Sequence, residues 1–417
     1  MKVLCMVDRY YPDSSANTIC CDNIANYLKE NGYQVDFLAI KNSPYDKDFD
    51  VINGSNVIKI ETYQHRLLRK YGKKYNAKSW MEFPWFFRRF HGVLQKLKIP
   101  FKPLTTGLVS LDTLNVKDII KKVSATGSHY DYLITYSMPF EFMLVSKKLM
   151  EAKIADKWYP IFLDCYVNND ILSKRKLTFR KKLAEKTLSR ADHIFMVDGI
   201  IKGNLKKGYN PEYHNKTTEI FIPMLKKFNI EKQVKKSTKT TLCYCGGFYR
   251  DIRNPKKMLK ILSNLDKDIL IKWFGSGCED IVEREIVNFK EAEFNVGGKI
   301  PHEKCLQEMI DADFLINLGN TVTNQMPSKI FEYIGMGKPI INFYFSDEDM
   351  CLPILKKYPL SISIKLTEEV DKKEIKKLKD FIEKYKNNVL SYNEATKELE
   401  DYNVENVAKK ILNIIEK

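Results

Sequence analysis

The chain has 417 residues, 44% of them hydrophobic and 12% aromatic, which is the composition of a folded globular protein with enough chain for two or three cores. No apolar run approaches the roughly 18 residues of a membrane-crossing helix, and the nine cysteines include no C-x-x-C pair and no histidine cluster at metal spacing. A reducing cytoplasm is the expected compartment, and the formal charge of +16 is the feature that needs an explanation.

Val3-Leu4-Cys5-Met6-Val7 is too short for a secretory apolar core and reads as a first strand. A loop at Pro12-Asp13-Ser14-Ser15, a helix over 18–31 that closes at Gly32, and an alternating strand over 33–40 complete a βαβ start. Residues 64–102 then carry eleven Lys and Arg against the single acid Glu82, a local excess of ten positive charges. Trp80, Phe83, Trp85, Phe86, Phe87 and Phe90 are interleaved with them. Cations beside Trp and Phe suit an anionic membrane surface, at about 1 kcal/mol per basic residue. Aromatics forming a core beneath a solvated charged face are the other reading, and both stay open. No zinc-finger, RRM or KH signature accompanies the charge, so no nucleic-acid partner is expected. From 118 the α/β pattern returns: a helix to 122, a strand over 132–136, a helix through 150, a strand over 161–163, an amphipathic helix over 177–189 and a strand over 191–197.

The polar, Lys-rich stretch 226–240 reads as a linker between a domain over 1–225 and one over 241–403. In the second, a strand over 241–245 ends in Gly246-Gly247, and Cys243 and Cys245 share one of its faces as small core residues. A helix over 255–265 leads to a strand over 269–274 ending in Gly275-Ser276-Gly277. Strand 294–296 enters Gly297-Gly298-Lys299-Ile300-Pro301, and helix 303–312 precedes strand 314–318. Strands alternating with helices predict parallel, doubly wound sheets, with ligands at the carboxyl ends of the strands.

The richest stretch is 325–345, QMPSKIFEYIGMGKPIINFYF. Pro327 suits the first position of a helix that stops near Gly337, and a buried strand follows Pro339. The free N–H groups of the first turn, with Ser328 and the charge of Lys329, make an anion site. Glu332 falls on roughly the same face about 6 Å further on, where a ribose would follow a diphosphate. An ordinary capped helix with Lys329 and Glu332 facing water is the alternative. An amphipathic helix over 404–415 follows a break at 401–403.

Taken together these motifs resemble the GT-B glycosyltransferases, specifically the retaining sugar-nucleotide enzymes of family 4, over nearly the whole chain. The residues that carry the resemblance are Tyr10-Tyr11-Pro12, Arg190-Ala191-Asp192-His193-Ile194, Ile222-Pro223, and Tyr244-Cys245-Gly246-Gly247-Phe248-Tyr249 with Arg253-Asn254. Phe274-Gly275-Ser276-Gly277, Gly298-Lys299-Ile300-Pro301, Ala312-Asp313-Phe314 and 327–333 continue it in order. The resemblance implies an α/β fold of two Rossmann-like domains facing each other across a cleft, with 404–417 packing back on the first. It implies transfer of a sugar from a nucleotide-diphosphate donor to a hydroxyl of a glycan or polyprenyl-linked acceptor in surface polysaccharide synthesis, with retention, at the inner face of the cell membrane.

By the same resemblance the second domain holds the donor. Gly246, Gly247 and Gly275 line its turns, Arg253, Lys329 and the Ser328 backbone hold the diphosphate, Ile300 meets the base, and Glu332 binds the ribose. No cofactor or metal is expected, since Arg253 and Lys329 neutralise the leaving diphosphate. The chain departs from the family pattern where Asn324 replaces a usual glutamate and where Ser14-Ser15 replaces a glycine pair on the acceptor side. Asp164 stands near the place of an expected histidine, either beside the acceptor hydroxyl or capping a strand end. Asp164, Asn324 and Glu332 are the candidate catalytic residues, and His302 is a candidate donor contact. A sugar-nucleotide epimerase on this fold and a non-catalytic sugar-nucleotide-binding subunit are the alternatives. A dehydrogenase is disfavoured because no G-x-G-x-x-G follows the first strand.

Overall fold

Lys2–Arg9 (β1) is apolar on both faces because both faces are covered, as a parallel strand in the middle of a sheet requires. The structure, a computed structural model, describes residues 1–12, 15–89, 116–167, 174–197, 199–202, 212–228, 238–322 and 326–417. It divides into one unit of Met1–Pro223 with Glu405–Lys417 and a second of Met224–Val404.

In the first unit β1 is joined by β2 (Gln34–Ile40), β3 (Phe49–Ile52), β4 (Ser55–Ile60), β5 (Tyr130–Tyr136), β6 (Ala155–Phe162), β7 (Ile194–Val197) and β8 (Thr217–Ile220). Their order is β3-β4-β2-β1-β5-β6-β7-β8, parallel throughout except where β3 runs antiparallel to β4. The helix Ala16–Glu30 starts where the Ser15 side chain accepts from the Thr18 N–H, and it ends before Gly32 in the left-handed region. The helices Val116–Ser124 and Glu141–Glu151 bury Ile119, Val123, Phe142, Met143 and Leu149 in the core beside Leu4, Leu133 and Trp158.

The second unit contains β9 (Thr240–Cys245), β10 (Ile269–Phe274), β11 (Glu293–Gly298), β12 (Phe314–Leu318), β13 (Ile340–Tyr344) and β14 (Ser361–Lys365). All are parallel, in the order β11-β10-β9-β12-β13-β14. That is the dinucleotide-fold order, with its switch point between β9 and β12. Both units are therefore Rossmann-like.

Several elements were not anticipated. The β3–β4 hairpin turns on Asn53-Gly54, both at positive φ, which is the strongest short hairpin signal a sequence offers. The helices Glu279–Ile286 and Lys372–Tyr385 and strand β14 also went unread. The helix expected over 255–265 spans only Lys256–Leu262, and the helix after Pro327 begins at Lys329, with Ser328 in the cap position and no side-chain cap bond. Asp13, Ser14, Phe90, Asn324 and most of the linker lie outside the described residues. Among the described residues no helix is long and apolar enough to cross a membrane.

The helix Val404–Ile415 belongs to the first unit, burying Val407, Ile411 and Ile415 along one stripe. Tyr33 Oη donates to Glu416 at 2.6 Å and Tyr159 Oη to the Ile415 carbonyl at 3.2 Å, fixing the end of the helix. Ile411→Ala is expected to destabilise the protein by about 2–5 kcal/mol. Lys409→Ala, on the exposed face, should change stability by less than about 0.5 kcal/mol. Urea unfolding of the two variants checks the pair.

Candidate functional site

At the switch point β12 pairs with β9 only at Phe314–Leu242 and Leu315–Cys243, so the two strands part before their carboxyl ends. The glycine turns after β9, β10 and β11 are laced together there. Gly246 N–H donates to Phe274 O, Gly275 N–H to Gly298 O (both 2.9 Å), and Phe248 N–H to Ser276 O at 3.0 Å. A Cβ at Gly275 would overlap the Gly246 carbonyl oxygen, and one at Gly277 the Phe248 carbonyl. Gly275 thus lets two backbones touch, which is a structural role beside the ligand role expected of it. Gly247 has room around it.

The helix Lys329–Gly335 starts beside this turn and carries Glu332, which is only 2% exposed. Lys329 Nζ donates to its Oε2 at 2.9 Å, and His302 Nε2 lies 3.0 Å from its Oε1. Glu332 therefore does not face water, and the ordinary-capped-helix alternative is overturned for it. Burial works against its charged form, but the Lys329 ammonium and the His302 bond outweigh burial and hold the carboxyl down to about 2. The same pairing raises Lys329 against the pull of burial. His302 opens the helix His302–Asp311 after Pro301, with half-buried Ile300 just before it. Cys305, three residues on, lies against Cys245, whose Sγ is 3.8 Å from the Cys305 carbonyl.

Arg253 sits on the β12 side of the switch point. Its turn is closed by reciprocal bonds between the Tyr249 and Arg253 backbones and tied to the β12 loop by Thr321 N–H donating to Ile252 O at 2.8 Å. Arg253 Nε donates to Asn320 Oδ1 at 2.9 Å, and the guanidinium lies against the Tyr244 hydroxyl, which donates to Gly247 O at 3.3 Å. Asp349 completes this corner. Its Oδ1 accepts the Cys351 N–H at 2.8 Å, and its Oδ2 packs where a side chain at Gly319 would be. Burial raises the Asp349 carboxyl against the Cys351 bonds and the Arg253 charge.

The first unit has its own cluster at the carboxyl ends of β1 and β6. Asp8 Oδ1 accepts from Ser15 Oγ at 2.6 Å and Thr18 Oγ1 at 3.0 Å, and Asn17 Nδ2 donates to Asp164 Oδ2 at 3.3 Å. Burial raises the Asp164 carboxyl, the Asn17 amide opposes it, and the Asp8 charge adds to it. Ser15 is occupied by Asp8 and the helix cap.

Of the residues expected at the donor, Gly246, Gly247, Arg253, Gly275, Ile300, Ser328, Lys329 and Glu332 lie in the second unit, around the carboxyl ends of its strands. Asp164 and Ser15 lie in the first, and Asn324 and Ser14 lie outside the described residues. Asp8, Asn320 and Asp349 went unread, and Tyr244 was read as part of a motif without a role of its own. An acid closing the first strand and a polar pair after Gly319 were the only signals for them. His193 is held on the strand β7 side of the first unit, its Nε2 lying 2.8 Å from Thr218 Oγ1. Among the described residues no group of three or more His, Cys, Asp or Glu is arranged to hold a metal ion.

A carboxyl that ionises more readily in the folded than in the unfolded chain stabilises the fold above its unfolded value near 4.5. That contribution, on the order of 3 kcal/mol, fades as pH falls toward the folded value. The stability gap between the wild type and Glu332→Gln is therefore expected to be full above about pH 4.5 and to close on approach to about pH 2. Denaturant melts at pH 7, 4.5 and 3 measure it, and a gap that ignores pH would contradict the pairing.

No protein-family model matches the chain, and no curated protein matches it by sequence. Solved structures match over its whole length. Sucrose-phosphate synthase from Thermosynechococcus elongatus is 12% identical with a TM-score of 0.65, covering 100% of this chain and 98% of that one. Anabaena HepE in complex with UDP and glucose is 12% identical with a TM-score of 0.63, covering 100% and 99%. The apo form of the lipopolysaccharide outer core galactosyltransferase WaaB is 12% identical with a TM-score of 0.53, again covering 100% and 99%. At such identities the likeness is one of fold: this chain has the GT-B fold, two Rossmann-like domains in series.

Proposed function

We propose that the protein is a glycosyltransferase that moves a sugar from a nucleoside diphosphate to a hydroxyl acceptor. The observation that carries this reading is the buried Glu332 clamped by Lys329 and His302 at the carboxyl ends of a dinucleotide-type sheet, with Arg253 held by Asn320 in the loop after β12. The fold supports it, since a structure sharing that fold holds UDP and glucose.

The chemistry follows from the charges. An arriving diphosphate competes for the Lys329 ammonium, and His302 keeps Glu332 in place while its freed Oε2 accepts a ribose hydroxyl. Arg253, pre-set by Asn320 and Tyr244, meets the same diphosphate. Together the two cations stabilise negative charge as the sugar leaves, which is electrostatic catalysis by fixed groups. In the retaining route the departing diphosphate oxygen takes the acceptor proton on the same face of the sugar. Asp164, raised by burial and by Asp8, stands on the acceptor unit to orient that hydroxyl. The acceptor class is a glycan or polyprenyl-linked glycan of a surface polysaccharide, met at the inner face of the membrane. The likeness to WaaB supports this class through fold alone.

A thermal-shift screen of UDP, GDP, CDP, ADP and TDP tests the reading. One of them, at 100 times its dissociation constant, should stabilise the wild type by about 2.7 kcal/mol, a shift of several degrees. Lys329→Ala should lose that shift, and Glu332→Ala should lose at least about 100-fold in turnover. No shift with any diphosphate would sink the donor site and favour a non-catalytic scaffold.

A further inference from the structure

The basic segment after β4 folds around a small core of its own. Leu68, Ala77 and Phe83 are buried there, with Leu67, Tyr71, Tyr75, Trp80 and Phe87 packed against them. Trp80 stacks on Phe83 at 5.4 Å, and Tyr75 meets Phe83 and Phe87 edge-on at 5.6 and 5.7 Å. These rings account for the core reading of the segment.

Three large apolar side chains stay largely exposed beside that core, of which Phe86 touches it through the Phe87 ring at 4.5 Å. Met81 is 72% exposed, Trp85 65% and Phe86 48%, all within six residues. Single exposed hydrophobes are ordinary, but three within six residues mark a contact surface. The side chains of Lys70, Lys73, Lys74, Lys78 and Arg89 are exposed in the same segment, as is Arg69, which is paired with Glu61 at 2.7 Å. Its only acid, Glu82, is exposed but locally engaged, accepting from the Lys78 N–H at 2.8 Å and Ser79 Oγ at 3.0 Å. An apolar tip with a cationic collar that outnumbers its single exposed acid differs from a protein–protein patch, whose centre is depleted in lysine. It matches the interfacial layer of an anionic leaflet, where Trp and Phe sit at headgroup depth and cations meet phosphates.

We propose that Met81, Trp85 and Phe86 insert into an anionic membrane surface, with the flanking Lys and Arg held on the lipid phosphates. This stands on the exposed tip and its charges, independently of the donor site.

The test is co-sedimentation of the full chain with vesicles of phosphatidylcholine alone or with about 30% phosphatidylglycerol. Binding should be at least about tenfold stronger to the anionic vesicles and weaken with salt. Trp85→Ser/Phe86→Ser should lose about tenfold of it, and Trp85→Ser alone, which leaves the Phe86–Phe87 contact in place, should weaken binding with the melting temperature unchanged. Lys73→Glu/Lys74→Glu should lose it through charge alone. Equal binding to both vesicle types, or indifference to the Trp85/Phe86 pair, would overturn the proposal. So would tighter retention on duplex DNA, or a dimer that the double substitution dissolves without any vesicle binding.

Discussion

A carboxylate removed from water must be paired, and in this protein that requirement organises the second unit. Glu332 is buried at the carboxyl end of the sheet, where leaving it unpaired would cost several kcal/mol. Its two oxygens are met from two directions, by Lys329 on its own helix and by His302 on another. The pairing locks two helix starts to each other and holds a cation where an anion would arrive. Under the proposed function, a diphosphate would recruit Lys329 without abandoning Glu332, because the His302 contact remains. Stability and ligand exchange therefore draw on one cluster, and this separates it from a surface ion pair.

The backbone around that cluster is set by close approach. Parallel strands deliver their turns to one end of the sheet, and only glycine lets the turns after β9 and β10 touch. The Tyr249–Arg253 turn reaches from β9 to the loop after β12 and brings Arg253 onto Asn320 across the gap. Arg253 is thus oriented by groups on both sides of the switch point, with most of its geometric cost met by the fold. Preorganised charge of this kind is what an electrostatic mechanism needs.

The first unit repeats the design with the opposite charge. Its strand ends present Asp8 and Asp164, bonded to Ser15, Thr18 and Asn17 at the start of the Ala16–Glu30 helix. Under the proposed function, the acidic groups of this unit would meet a hydroxyl acceptor and the cations of the other an anionic leaving group. The satellite core around Phe83 shows how one run of aromatics divides: Phe83 is buried with Trp80 and Phe87 packed on it, while Trp85 and Phe86 stay largely exposed at its margin.

The apolar runs 3–7, 269–274 and 314–318 and the glycine punctuation between them were enough to read two doubly wound units, because a strand buried on both faces leaves no polar alternation to confuse. Lys329, Glu332 and Arg253 were legible for a similar reason, lying in short motifs beside glycine turns. Other features depend on residues distant in sequence. His302 lies 30 positions from Glu332, Asn320 is 67 from Arg253, and Asp164 is 147 from Asn17. No local pattern couples such pairs; packing of the strands brings them together. The Asn53-Gly54 hairpin shows the opposite failure, a local signal present and passed over. The charge and aromatics of 64–102 were plain in the sequence, but which rings point outward was not. That depends on which side chains find partners, and only tertiary packing decides it.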